Sequence, residues 1–62
     1  MRMRDIKKLH NGDEVIWDDP DGGKKVIKIL SIGVSGEVVS ICGTHVPSGN
    51  YTEFECWARE LS

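Results

Sequence analysis

The apolar residues of this chain occur in short runs with the spacing of β-strands. Four segments are predicted to be strands: residues 13–17, 24–32, 37–42 and 51–56. Their β-branched and aromatic side chains suit a pleated, half-buried surface. The last segment alternates strictly, with Phe54 and Cys56 on one side and Tyr51, Glu53 and Glu55 on the other. The pattern predicts an all-β fold of four antiparallel strands, with a fifth strand possible at one terminus.

Turn residues separate the predicted strands. Asp19-Pro20-Asp21-Gly22 fits a type I turn with proline at its second position, and Gly22 or Gly23 can take the positive φ that follows. The apolar positions of the second strand change parity between Ile29 and Leu30, which predicts a β-bulge or a strong bend there. We also expect a turn at residues 33–36, a loop at 43–50 and one helical turn at 57–60.

Length and charge indicate one small domain, residues 1–62, with residues 1–12 as a lead-in segment anchored by Ile6 and Leu9. A chain this short buries only about 60% of its unfolded surface. Its 39% hydrophobic content argues against wholesale disorder. The net charge of −2 is uneven, since residues 1–12 carry +3, residues 13–23 carry −5 and the remainder is neutral.

The sequence predicts a cytoplasmic protein with no membrane partner. No apolar run approaches the roughly 20 residues that span a bilayer, and residues 1–12 lack the apolar region of a signal peptide. In the cytoplasm Cys42 and Cys56 are expected to be reduced thiols.

Two motifs resemble those of a known fold family. Leu9-x-x-Gly12-Asp13-x-Val15 opens the first strand, and Glu55-Cys56-x-x-x-Glu60-Leu61 ends the chain. Both are similar to segments of bacterial SH3-like barrels, the group that includes KOW- and Tudor-type modules. The resemblance covers nearly the whole chain and implies a small SH3-like barrel in which a short helical turn precedes the last strand. KOW modules usually carry more basic charge than this chain, and the fold hosts many functions.

The acidic run Asp18, Asp19 and Asp21 is interpreted as a polar turn without a metal ion. Calcium needs six to eight oxygen ligands, and an EF-hand loop ends in glutamate at its twelfth position. Pro20 interrupts the series, and the twelfth position counted from Asp19 is Leu30.

Cys42, His45, Cys56 and His10 are soft metal ligands without a second closely spaced pair. If the third and fourth strands form a hairpin, Cys42 lies near Thr52, about 13 Å along the strand from Cys56. That distance disfavours both a disulfide and shared zinc ligation. We expect buried or half-buried thiols, and no metal or cofactor.

The sequence predicts a non-catalytic binding or interaction module for a protein or peptide partner. No serine has nucleophile-elbow flanks, and for neither histidine does the local sequence fix an obvious acidic or thiol partner. Trp17, Trp57 and Tyr51 are the predicted contact residues, because large amphipathic rings suit interfaces. Asp18, Asp19 and Asp21 would form an acidic rim that favours a basic ligand.

Two alternatives remain from the sequence. One is nucleic-acid binding through a basic set of residues: Arg2, Arg4, Lys7, Lys8, Lys24, Lys25 and Lys28. The other is a structural homodimer that pairs exposed sheet edges, since residues 26–32 form a long apolar strand for such a short chain.

Overall fold

The computed structural model describes residues 1–62. Its main element is one antiparallel sheet with the strand order β1-β2-β3-β4. The strands are β1 (Glu14–Asp19), β2 (Gly23–Ser35), β3 (Val38–Val46) and β4 (Tyr51–Trp57). A short helix, α1 (Met3–Ile6), precedes them, and a 3₁₀ turn (Ala58–Glu60) follows. The predictions of a mostly β chain with four antiparallel strands and of a helical turn near its end are confirmed. Helix α1 was not predicted within the lead-in segment.

The turn between β1 and β2 has the predicted geometry. The Gly22 N–H donates to the Asp19 carbonyl at 3.2 Å, which closes a type I turn with Pro20 at its second position. Gly23 then takes the positive φ, at 78°. Hairpin connections built around a type I turn are common, so the local sequence is sufficient to specify this turn.

The predicted bulge lies in the middle of β2. The register with β3 shifts between Ile29 and Ser31, which leaves Leu30 as the extra residue. Before the bulge, Ile27 and Ile29 face the core, and after it Ile32 lies opposite Ile41. The bulge therefore keeps apolar residues of both parities on one face.

The predicted ends of β2 and β3 were wrong. β2 continues through Gly33 to Ser35, and the turn is formed by Gly36 and Glu37 alone, with Gly36 at φ 61°. A glycine at the first central position is typical of a type II′ hairpin turn. β3 continues through Gly43 to Val46, where a loop had been predicted. At this point of β3 the neighbouring backbone leaves no room for a side chain, so the strand requires a glycine at position 43.

Eight side chains form the core of the protein. They are Ile6, Val15, Ile27, Ile29, Val39, Ile41, Cys56 and Leu61. Six of them come from the inner face of the sheet, and the segments before and after the sheet supply Ile6 and Leu61. The inner face of a single sheet is therefore covered partly by the two terminal segments.

The sheet is not closed into a complete hydrogen-bonded ring. β1 and β4 are its two edges, and the strand order contains no pairing between them. Leu61 forms an isolated antiparallel bridge with Trp17. Next to that bridge, Ile16 and Ser62 exchange two backbone hydrogen bonds of 2.8 and 2.9 Å. The C-terminal residues thus cover part of the outer edge of β1.

The two helical segments have four and three residues, and neither is long or apolar enough to cross a bilayer.

Substituting alanine for Gly43 is expected to destabilise the fold by about 1–3 kcal/mol, because the new methyl group has no space. A Cβ atom at this position would clash with the Lys28 carbonyl oxygen and would lie 2.9 Å from Ile27 Cγ2. Urea unfolding measures the change in the free energy of unfolding.

The matched control for Gly43→Ala is Gly33→Ala. Gly33 also lies in a strand, and a Cβ there would meet nothing within 4 Å. We expect Gly33→Ala to leave the free energy of unfolding unchanged or to raise it by about 0.5 kcal/mol, because alanine lowers the conformational entropy of the unfolded chain. A Gly43→Ala variant as stable as the control would contradict the close approach of β2 and β3.

Candidate functional site

Trp17 joins the two edges of the sheet through its side chain. Its ring stacks on Phe54 of β4, with the ring centroids 3.8 Å apart and the planes 7° from parallel. The indole N–H donates to Glu60 Oε1 at 3.5 Å, and Lys25 Nζ lies 5.4 Å from the ring centroid. Trp17 is half-buried and packs against the core. It therefore links β1 to β4 across the inner face of the sheet.

The negative charge of the acidic turn beside Trp17 is partly neutralised by the lysines at the start of β2. Asp19 accepts the Asp21 N–H at 2.9 Å and forms an ion pair with Lys25 at 3.0 Å. The hydrogen bond from Asp21, together with the Lys25 ammonium, lowers the pKa of the Asp19 carboxyl. Asp18 lies opposite Lys24, and Asp21 is exposed at the turn. In no part of the chain do three His, Cys, Asp or Glu side chains come together to hold a metal ion.

Trp57 and Tyr51 lie on the outer face of β4, opposite to the face that carries Phe54. Their exposed fractions are 44% and 59%. They stand at the two ends of the strand, about 20 Å apart at the usual rise per residue. Because Trp17 faces inward, the three aromatic residues predicted to contact a partner do not lie together on one surface.

Trp57 lies between two shallow open depressions. One has a volume of about 230 Å³ and is lined by Met3, Glu37, Trp57, Ala58 and Arg59. The other has a volume of about 260 Å³ and is lined by Val38, Glu55, Cys56, Trp57 and Glu60. The Arg59 guanidinium lies 5.6 Å from the Trp57 ring centroid. This arrangement offers a broad contact surface around one exposed ring.

Two carboxylates lie between Tyr51 and Trp57 on the outer face of β4. They belong to Glu53 and Glu55, and both side chains are exposed. The Tyr51 hydroxyl donates to Glu53 Oε1 at 2.7 Å, and this hydrogen bond is the main cause of the raised pKa of Tyr51. The alternation of the sequence placed these glutamates outward, but it did not identify them as part of the site.

A row of apolar residues crosses the outer face at the end of the sheet that carries Tyr51, away from Trp57. Ile16, Val26 and Val46 lie opposite one another on β1, β2 and β3. Tyr51 pairs with Thr44, two residues before Val46, and therefore lies diagonally across from it. Tyr51 extends this apolar row to the edge of the sheet.

The lysines of β2 face carboxylates of β1. Lys24 lies opposite Asp18 and Lys28 lies opposite Glu14, while Lys25 is paired with Asp19. The remaining basic residues of the predicted nucleic-acid set are exposed in the N-terminal segment, and they are Arg2, Arg4, Lys7 and Lys8. The seven basic residues therefore do not form one uncompensated surface.

The two thiols lie on opposite faces of the sheet. Cys42 is opposite Glu53 on the outer face, one residue from its expected neighbour Thr52, and Cys56 is buried opposite Val39. Burial raises the pKa of the Cys56 thiol to about 11. The sheet itself separates the thiols, so they cannot bind one metal ion together.

No family model matches the chain, and neither a curated protein nor a solved structure matches it.

The buried Cys56 thiol predicts a loss of stability at high pH. Its folded pKa of about 11 is above the ordinary value of 9.0, so the thiol ionises more readily in the unfolded chain. Its contribution to the free energy of unfolding is complete below pH 9 and falls as the pH rises toward 11.

The measurement compares two proteins by urea unfolding over this pH range: the Cys42→Ser variant, which keeps Cys56, and the Cys42→Ser, Cys56→Ala double variant. The difference between their free energies of unfolding isolates the contribution of the Cys56 thiol. The difference in the free energy of unfolding should shrink as the pH rises. A difference that does not vary with pH would show that the Cys56 pKa is not raised.

Proposed function

We propose that this protein is a small non-catalytic interaction module that binds a protein or peptide partner over the outer face of β4. The observation that carries the proposal is the exposure of Trp57 on an edge strand between two shallow depressions. Tryptophan is enriched among the residues that dominate interface energies. A ring that contributes little to the core and lies on an edge strand is suited to contact a partner.

The charge of this surface favours a basic partner. Glu53 and Glu55 are exposed, and neither takes part in an ion pair, since the pairs in the structure are Lys25–Asp19 and His10–Asp13. Charge complementarity raises the rate of encounter and selects against acidic partners.

The site residues predicted from the sequence have different roles in this binding mode. Tyr51 and Trp57 remain contact residues, and Glu53 and Glu55 join them. Trp17 and Asp19 stabilise the fold, through the Phe54 stack and the Lys25 ion pair. The exposed carboxylates of Asp18 and Asp21 contribute to the acidic character of the first turn.

We also propose that the four-stranded sheet forms an incomplete barrel. An SH3-like barrel, open between β1 and β4, is supported by the Trp17–Phe54 stack between the two edges. It is also supported by the 3₁₀ turn that leads directly to the bridge between Leu61 and Trp17. The proposed compartment is the cytoplasm, where free thiols such as Cys42 and Cys56 are maintained.

Nucleic-acid binding is not favoured. Phosphate binding requires several uncompensated cations on one surface. Each lysine of β2 faces a carboxylate of β1, so of the predicted basic set only the four cations of the N-terminal segment are left to contact phosphate.

Selection from a phage-displayed library of random peptides tests the proposed function. Peptides enriched on the native protein are synthesised, and their affinities are measured by fluorescence anisotropy. Trp57→Ala should weaken binding about tenfold or more, as expected for a tryptophan at the centre of an interface.

The matched control is Leu30→Ala. The Leu30 side chain is exposed to nearly the same extent as that of Trp57, 42% against 44%, but it lies on the bulge of β2 rather than on β4. It should leave the affinity unchanged. Failure to enrich any peptide, or equal affinities for the Trp57→Ala variant and the native protein, would contradict the proposed function. Thermal melting confirms that both variants fold.

A further inference from the structure

β4 is hydrogen-bonded to another strand on one side only. Its partner is β3, in a continuous register from Val38↔Trp57 to Thr44↔Tyr51. One step beyond that register, the His45 N–H donates to the Asn50 carbonyl at 2.8 Å. Directly opposed residues of an antiparallel pair alternate between hydrogen-bonded and non-hydrogen-bonded positions. The His45 bond therefore fixes which residues of β4 bond to β3.

The alternation divides β4 into two sets of backbone groups. Thr52, Phe54 and Cys56 lie at the hydrogen-bonded positions and face β3. The N–H and C=O groups of Tyr51, Glu53 and Glu55 point away from β3, toward the free edge. These groups make no backbone hydrogen bond outside the strand ladders.

The free edge of β4 has defined limits. At its end, the Trp57 N–H donates to Glu60 Oε2 at 2.8 Å. The corresponding groups of Ile16, on the outer edge of β1, are occupied by Ser62. β4 contains no proline and no bulge, two features that commonly protect edge strands. Residues 51–55 are thus a regular template for one more strand.

We propose that this edge binds an extended basic segment of a partner protein as an added antiparallel strand. The inference rests on the proposed function and specifies its binding mode. Main-chain hydrogen bonds would supply affinity, and alternate side chains would supply specificity. Partner residues opposite Glu53 and Glu55 would lie on the same outer face, where lysine or arginine forms favourable cross-strand pairs.

Charge makes a second copy of the chain a poor occupant. A symmetric pair of β4 strands centred on Glu53 would place the two Glu53 side chains opposite each other. A register centred on Phe54 would place Glu53 opposite Glu55, which is also repulsive. The register that pairs Tyr51 with Glu53 avoids this repulsion, but it leaves Glu55 beyond the end of the partner strand. A basic strand avoids the repulsion between glutamates and can pair with β4 over the full length of its free edge.

The probe is a capped peptide of 7 residues, the length of β4, that alternates lysine and valine. Nuclear magnetic resonance of the native protein should show shifts at the amides of Tyr51, Glu53 and Glu55 and protection of these amides from solvent. The affinity should fall with added salt, because exposed charge pairs are screened.

N-methylated peptides test the hydrogen bonds directly. In the proposed pairing the lysines carry the N–H groups that bond to β4, while the valine N–H groups point to solvent. Methylation of the lysine nitrogens should weaken binding about tenfold or more, and methylation of the valine nitrogens should have little effect.

Protein variants test the charge selection. The double variant Glu53→Gln, Glu55→Gln should bind the lysine–valine peptide about fivefold more weakly, since two cross-strand charge pairs are lost. The control is Glu14→Gln, which removes an exposed carboxylate of the outer face on β1, opposite Lys28. Its affinity should match that of the native protein.

Three results would overturn strand addition: binding that tolerates lysine N-methylation, absence of shifts along β4, or unchanged affinity of the double variant. Self-association of the double variant without peptide binding would likewise overturn it, because the glutamates would then only guard the edge. If library peptides still bind through Trp57 in any of these cases, the interaction module stands and only its binding mode fails. If Trp57→Ala has no effect on any ligand, the proposed function itself fails.

Discussion

The close approach of β2 to Gly43 is the constraint on which the rest of the structure depends. A single antiparallel sheet must cover its apolar face, and in a chain of 62 residues little else is available to cover it. β2 changes direction at the Leu30 bulge, and its Lys28 carbonyl passes where a side chain of β3 would otherwise stand. The sheet can therefore curl around its own inner face, and Ile6 and Leu61 complete the core from either end.

Curling brings the two edge strands together through side chains rather than through backbone hydrogen bonds. Trp17 of β1 stacks on Phe54 of β4, yet the strands are not paired. Ser62 occupies part of the β1 edge, whereas the edge of β4 between Tyr51 and Glu55 stays open. The proposed binding surface is thus a consequence of incomplete closure, since the same strand presents an exposed tryptophan, two unpaired carboxylates and free backbone groups.

Features that depend on neighbouring residues were predictable from the sequence. Asp19 to Gly23 specify their turn, the parity change at Leu30 indicates the bulge, and strict alternation identifies the two faces of β4. Contacts between distant residues were not predictable. Gly43 was predicted to lie in a loop because glycine is typical of turns and loops. In the structure it lies in β3, where the absence of a side chain permits close contact with the Lys28 backbone. Trp17 was grouped with Trp57, although its partner is Phe54, 37 positions away in the sequence.

The central claim is that β4 is bonded on one side and free on the other. Amide hydrogen exchange of the isolated native protein tests it most directly, because exchange reports the hydrogen bonding of each N–H. The account predicts alternation along β4, with slow exchange at Thr52, Phe54 and Cys56 and fast exchange at Tyr51, Glu53 and Glu55. Uniform slow exchange from Tyr51 to Cys56 would mean that the edge is already occupied, and would contradict the account.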